Sequence, residues 1–360
     1  MRTLHVDLGT EWRGGQQQAL LLLRGLGSRG YAAELVATAG APLARRAALE
    51  GFAVHEVAPA AARARAALVL RRLLPDRRID VVHAHEAHGL TAAWVAHAHR
   101  RSRLVAARRV SFPLRSLGRY TAAQRVIAVS RFVAAVVVAA GVERERVAVV
   151  HDGVEVPPLV TAEERERARK NWDAEANTIL LGCVGYLSEE KGHDRLLAAL
   201  PRILEKNPNC QLLLAGEGPL RTALEQQARA LGLQENVQFA GFVENLPELY
   251  DALDVYVFPS LSEGLGTSLL LAMAHALPVV AAARGGIPEA VTDGTNGLLV
   301  SEPEPQLLAD AVLSLLDDAA RAKGLGAAAR RTVEAQFSAE QMVDNTLAVY
   351  DEARREEARG

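Results

Sequence analysis

Short apolar runs of five to seven residues alternate along the chain with longer stretches whose apolar positions recur every three or four residues. "TLHVDLG" predicts a first strand, and "QQQALLLLRGLGSRG" a helix closed by Gly30. "AAELVATAG" and "FAVHEVA" predict strands, and "RARAALVLRRLLPDRR" a helix. "IDVVHAH" reads as a strand, "GLTAAWVAHAHR" as a helix, "RLVAARRV" and "RVIAVS" as extended, "RFVAAVVVAAG" as a helix and "VAVVHDGV" as a strand. Strands that alternate with helices argue for a parallel, doubly wound sheet.

The alternation breaks at "VEVPPLVTAEERERARKNW", where Pro157 and Pro158 cannot continue a central strand and a densely charged helix follows. It restarts with "TILLGCVGYLSEEKGHDRLLAALPRIL", laid out like the opening as strand, glycine-bearing loop and helix. Strands "CQLLLAG", "VQFAGF", "VYVFPS", "LPVVAA" and "GLLV" come after it. The last segment, "SAEQMVDNTLAVYDEARR", is amphipathic and opens with Ser338 and Gln341 at capping-box spacing. The predicted organisation is α/β with two Rossmann-like domains across a cleft. The expected boundaries are 1–160, 161–337, and a helix at 338–360 packing back toward the N-terminal domain.

Composition changes this picture in two respects. With 360 residues, 49% hydrophobic, the chain can supply a core to each domain, and with aromatics at 4% Ala, Leu and Val must do the packing. Net charge is -2, but residues 1–160 carry +11, all of the bases there being arginine, and the remainder carries -13. A basic N-terminal half suits an anionic partner such as acidic lipid headgroups or a phosphorylated glycan. Nucleic acid is disfavoured, since no basic motif is interleaved with aromatics. Cys183 and Cys210 each sit in an apolar run and read as buried thiols of a cytosolic protein. The start reads as a strand rather than a leader, and no run of about 18 apolar residues suggests a membrane span.

In doubly wound sheets ligands sit beyond the carboxyl ends of strands, where helix N-termini offer unpaired amides and partial positive charge. Four glycine-bearing turns occupy such places: Gly14–Gly15, Gly185–Lys191, Gly264–Thr267 and Gly285–Gly286. None has the spacing of a P-loop or of a single-unit dinucleotide fingerprint, so a plain NTPase or dehydrogenase is disfavoured.

"SEGLGTSLLLAMAHALPVVAAARGGIPEAVTDGTNGLLV" resembles the C-terminal signature of the retaining GT-B glycosyltransferases of family 4. Further matching stretches are "EWRGGQQQALLLLRGL", "IDVVHAHEAHG", "VIAVSRFV", "EKGHDRLL", "LLLAGEGPLR" and "VQFAGFVENLPELYDALDVYVFPS". The likeness is strongest to bacterial enzymes of lipopolysaccharide or cell-surface polysaccharide assembly. It implies a nucleotide-sugar donor held mainly by the C-terminal domain, a glycan or lipid-linked acceptor on the N-terminal one, and no metal or cofactor. It implies a cytoplasmic enzyme and allows peripheral contact with an anionic membrane.

By this resemblance Glu263 faces hydroxyls of the transferred sugar, while the amides of Gly264, Leu265, Gly266 and Thr267 approach the diphosphate. Lys191 matches a lysine that neutralises the leaving diphosphate. Gly14 and Gly15 match a glycine loop that closes on the donor phosphate. The backbone at Gly241 and Val243 matches the shelf for the base, and Glu217 a loop near the same sheet end. His85 and Glu86 fall where the family places a group at the acceptor side. The chain departs from the pattern at Leu271, where a second acid is usual, and at Tyr186, where many members carry an arginine. Two rivals remain at this point. One is a metal-dependent hydrolase using His83 and His85, with His97 and His99 held within a helix and not facing each other. The other is a nucleotide-sugar-binding relative without turnover.

Overall fold

The computed structural model describes residues 1–114 and 116–355 and divides into two compact units, Met1–Gly153 with the segment from Ala339, and Val154–Ser338. The first unit is built from β1 (Arg2–Asp7), α1 (Gly14–Ser28), β2 (Ala32–Thr38), α2 (Pro42–Leu49), β3 (Ala53–Val57), α3 (Ala62–Asp76), β4 (Val81–Ala84), α4 (Ala87–Val95), β5 (Arg103–Arg108), α5 (Leu117–Thr121), β6 (Arg125–Ala128), α6 (Arg131–Ala139) and β7 (Val147–Val149). The second runs through α7 (Ala162–Lys170), β8 (Ile179–Val184), α8 (His193–Lys206), β9 (Cys210–Ala215), α9 (Arg221–Ala230), β10 (Val237–Gly241), α10 (Leu246–Ala252), β11 (Val255–Phe258), α11 (Thr267–Ala274), β12 (Val279–Ala282), α12 (Ile287–Ala290), β13 (Leu298–Val300), α13 (Pro305–Leu316) and α14 (Ala319–Gln336). The final helix, α15 (Ala339–Arg355), returns to the first unit.

Both sheets are parallel throughout. Their strand orders are β3-β2-β1-β4-β5-β6-β7 and β10-β9-β8-β11-β12-β13. Strand order therefore reverses between β1 and β4 in one unit and between β8 and β11 in the other, the places where such sheets bind ligands. The strands are short and apolar because helices cover both faces. Only Arg2 in β1 and Ile179 in β8 escape full burial in their strands. In the first unit α1 serves two cores. Leu21, Leu22 and Leu26 pack with Met342, Val343 and Tyr350 of α15, and Leu20 and Leu23 with Leu35 and Leu43. The second unit buries one continuous core that includes Leu181, Leu197, Leu214, Val257, Val280 and Leu308.

Three sequence expectations shift. The unit boundary falls at Gly153 rather than 160, because the Val154 amide donates to Phe337 O at 2.9 Å and ties 154 to the second unit. Gly14 and Gly15 are not a loop but the first turn of α1, since the helix formers behind them extend it to that point. His97 lies outside α4, in a left-handed conformation with φ 58°, and His99 in a following 3₁₀ turn. Helix α2, hidden in "APLARRAALEG", also has no counterpart in the sequence reading; its eight residues are too few for a clear period.

Candidate functional site

In the second unit three loops interlock at the carboxyl ends of β8, β11 and β12. The Leu261 amide donates to Glu190 O at 2.8 Å, and the Gly286 amide to Glu263 O at 3.2 Å. Two glycines make the fit possible. A Cβ on Gly192 (φ 67°) would lie 2.3 Å from Pro259 O, and one on Gly285 (φ 56°) 2.0 Å from Glu263 O. Both combine a left-handed backbone with an approach that any side chain would block. Gly285–Gly286, read from sequence as a ligand turn, thus braces the loop carrying Glu263.

Within this frame Lys191 donates to Glu263 Oε1, and Ser260 Oγ donates to the same oxygen at 2.7 Å. The lysine side chain is 23% exposed and the glutamate 11%, so the pair is mostly shielded but reachable. Gly264, Leu265 and Gly266 are buried, and Thr267 is half-buried at the start of α11. Gly266 occupies the N-cap position with φ 104°, and no side chain caps the helix. Its first-turn amides are therefore left for solvent or a ligand. The carboxylate and the lysine thus meet in the loop that leads into the bare start of α11.

Helix α11 is packed into the core of the second unit. Leu269, Leu270, Ala272 and Met273 are buried, while Leu271 is half-buried. Tyr186 is half-buried beside Gly185, in the loop after β8. Glu217 is exposed after β9, and its Oε1 would lie 3.5 Å from a Cβ on Gly241, so these two predicted residues are neighbours. Val243 is half-buried in the loop after β10.

The first unit places different chemistry at its own reversal point. His5 of β1 lies in register with His83 of β4, and His85 follows two residues on, so all three imidazoles share one face. The His85 ring stacks against both others, with the His83 centroid 4.2 Å away. His5 Nδ1 and His85 Nε2 are 2.9 Å apart, and His83 Nδ1 pairs with Tyr350 OH at 2.6 Å. All three are fully shielded, and burial pushes each pKa down, His5 to about 3. Their ligand atoms lie within 4.8 Å of one another, so three neutral imidazoles could in principle hold a metal. The Arg109 guanidinium also acts on this cluster and lowers His83 and His85 further, an unfavourable charge beside a cation. The sequence missed His5 because strand register across 78 residues is not a local signal.

Glu86 proves to be the N-cap of α4. Its carboxylate accepts from the Leu8 amide at 3.1 Å and from the His88 and Gly89 amides. Its three partners are backbone groups of the fold, so Glu86 holds the loop after β1 against α4. Asp7, at the end of β1, accepts from the Gly9 amide at 2.9 Å and from Gln16 Nε2 at 3.1 Å. Burial raises both carboxyls above their usual range, and the charge of Asp7 raises Glu86 further. Arg109 bonds Asp152 at 3.0 Å and reaches His85 O at 3.4 Å. Gly15, one residue before Gln16 in the first turn of α1, has nothing within 4 Å of an added Cβ.

Residues 12–156 match the sequence model of "Glycosyltransferase Family 4", and residues 164–332 that of "Glycosyl transferases group 1". The chain is 34% identical over 191 residues to a GDP-mannose-dependent monoacylated alpha-(1-6)-phosphatidylinositol monomannoside mannosyltransferase of Corynebacterium glutamicum, covering 51% of this chain and 49% of that protein. It is 37% identical over 231 residues to a D-inositol 3-phosphate glycosyltransferase of Geodermatophilus obscurus, covering 61% and 50%. The matches thus span about half the length of these curated relatives. Among solved structures, Anabaena HepE in complex with UDP and glucose superposes with a TM-score of 0.87 at 22% identity, over 98% of this chain and 99% of that one. The fold is therefore GT-B. One family model covers most of the first unit and the other most of the second, and on both together the chain belongs to the GT-B glycosyltransferases of family 4.

Proposed function

We propose that the protein transfers a sugar from a nucleoside diphosphate sugar to a hydroxyl of a glycan or lipid-linked acceptor, with retained anomeric configuration. The observation that carries this reading is the shielded Lys191–Glu263 pair beside the uncapped start of α11. Departure of the diphosphate leaves an oxocarbenium-like sugar and a growing negative charge. Lys191 and the amides of Gly264–Thr267 supply fixed positive potential where that charge develops. Glu263 is held by Lys191 and Ser260 through Oε1, leaving Oε2 for sugar hydroxyls. In this reading no metal is required, because the lysine and the amides carry the electrostatic load. Retention follows a front-face course, in which the departing phosphate takes the acceptor proton. A double displacement would instead need a second carboxylate about 5 Å from the first.

The relatives act on phosphatidylinositol mannosides and inositol phosphate by their names, which suits an anionic acceptor for the arginine-rich first unit. The same unit supports peripheral contact with an anionic membrane surface, on the cytoplasmic side in this reading. Helix α3 turns Arg63, Arg65, Arg71, Arg72 and Leu68 outward while burying Ala66, Leu70 and Leu74. Among the described residues no helix is long and apolar enough to cross a membrane. Sedimentation with vesicles should retain the protein only when anionic lipid is present.

The deciding experiment is a thermal-shift screen of nucleotide sugars, with each stabilising donor then tested for transfer. Stabilisation by a donor, with turnover lost in Lys191→Ala, is the expected result. No stabilisation by any nucleoside diphosphate sugar would overturn the reading. A binding relative without turnover is the second reading, and Leu271 motivates it, since a leucine accepts no hydrogen bond from a ribose. Donor stabilisation without nucleotide release would favour it.

A further inference from the structure

One polar group of the second unit has no part in the proposed mechanism. His193 is the first residue of α8, follows Gly192 at a helix start that no side chain caps, and is 1% exposed. Among the described residues neither ring nitrogen has a hydrogen-bond partner. Burial, reinforced by the positive charge of Lys191, pushes its pKa down to about 4, so the ring is neutral under ordinary conditions. It therefore carries one N–H donor and one acceptor, both unsatisfied. Buried polar groups are rarely left so, and a leucine would fill the same core without that penalty.

The position of the ring shows what could satisfy it. Gly185 is the first residue beyond β8. A Cβ placed there would lie 3.9 Å from both Cε1 and Nε2 of His193 and 4.0 Å from Lys191 Cδ. The strand end, the lysine stem and the imidazole edge thus meet around one glycine that adds no side chain to the space. Among the described residues, Lys191 is the one charged group that acts on the ring, and no negative charge does. Cys183, beside Lys191 and Glu263, is held as a neutral thiol with its pKa pushed up to about 12 by burial, and the carboxylate of Glu263 is already paired with Lys191.

We infer that His193 is a further donor-binding residue, a neutral imidazole that gives a ring N–H to an oxygen of the same diphosphate that Lys191 neutralises. This rests on the transferase reading and deepens it. A hydrogen bond to an ionised acceptor is roughly twice as strong as a neutral one. The bond therefore strengthens as the leaving group gains charge, and it favours departure as well as binding. Being neutral, the ring adds no second cation beside Lys191.

Calorimetry on the full chain tests the inference, with UDP and GDP each compared against its nucleoside. His193→Phe should weaken the diphosphates by about tenfold or more and leave the nucleosides unchanged. His193→Asn, which keeps an N–H donor, should recover most of that loss. A readout that needs no variant is the imidazole ¹H–¹⁵N spectrum of the wild type, where added diphosphate should move the His193 ring resonances and uridine or guanosine should not. Undisturbed ring resonances with bound diphosphate would overturn the inference, as would equal diphosphate affinity in wild type and His193→Phe. If Lys191→Ala loses the diphosphate while His193→Phe keeps it, only this inference fails. If the wild type binds neither diphosphate, the transferase reading fails with it.

Discussion

The two units repeat one topology and use its reversal point in opposite ways. Between β1 and β4 the first unit buries uncharged imidazoles, and its carboxylates are bound to backbone amides. Between β8 and β11 the second holds a mostly shielded but reachable ion pair and an uncapped helix start. A parallel sheet therefore supplies a location and nothing more. What differs between the two locations is access: the imidazoles of the first are enclosed, while Lys191 and Glu263 of the second keep part of their side chains in reach of solvent. Glu86 and Glu263 differ in their partners too: both follow a central strand, but the first is bound by three amides and the second is held through one oxygen.

The largest test of this contrast is functional. Lys191→Ala and Glu263→Ala should each lower kcat by about 10² to 10³, the loss typical of removing one preorganised electrostatic group. Glu86→Gln should instead lower stability by about 1–2 kcal/mol as the capping bonds weaken, with a smaller change in kcat. If Glu86→Gln abolishes transfer in a folded protein, the division of labour between the units is wrong.

The next test is pH. His5 and His193 have folded values of about 3 and about 4, below the usual 6.5, and His83 and His85 are lowered too. The unfolded chain then takes protons first, so the stability these groups permit is complete above about pH 6.5 and falls as pH drops toward 4 and 3. At pH 5 His5 and His193 each cost about 2 kcal/mol by linkage. Asp7 and Glu86 act in the opposite sense, since their raised values let the folded state take a proton first. Around its reversal point the first unit holds three such histidines, and the second holds His193 alone. Hydrogen exchange at about pH 7.5 and about pH 5 should show β1 and β4 losing more protection than β8 and β11. Equal losses in both sheets would contradict the assignment of the stack as a buried, neutral structural element.

The contrast also explains what could be read from the chain. Strand ends, the "SEGLG" loop and Lys191 were legible because each is a local pattern: an apolar run, then glycines, then a helix. His5 was not, because its meeting with His83 depends on β1 pairing a strand 78 residues away. Nothing local in "EKGHDRLL" sets His193 apart, and only burial reveals its unpaired nitrogens. Glu86 was picked out with His85 by resemblance, as a group at the acceptor side. Its capping role needed the Leu8, His88 and Gly89 amides to be placed around it.

Glycines give a smaller test. Gly285→Ala forces a Cβ to 2.0 Å from Glu263 O at a left-handed position, and should cost about 1–3 kcal/mol in urea unfolding and displace Glu263. Gly15→Ala meets open space in the first turn of α1 and should leave stability unchanged or raise it by less than about 1 kcal/mol. If Gly15 lies against a donor phosphate, as the family resemblance implies, that same variant should raise KM, and an unchanged KM would return it to the scaffold.

The smallest effect separates an active transferase from a binding relative. Leu271 sits on α11 one turn beyond the amides at Thr267, half-buried on a helix whose other leucines are fully enclosed. An acid there could accept a hydrogen bond from a sugar or ribose hydroxyl, and an exposed bond of that kind is worth about 0.5–1.5 kcal/mol. Leu271→Glu should therefore tighten binding of a nucleoside diphosphate sugar by roughly 2- to 10-fold, with little change in kcat, because the nucleoside end is bound equally before and during departure. The same variant should leave binding of a 2′,3′-dideoxy analogue unchanged. A gain that extends to the dideoxy analogue would mean that Leu271 acts on loop packing, and that the ribose has another partner in the second unit.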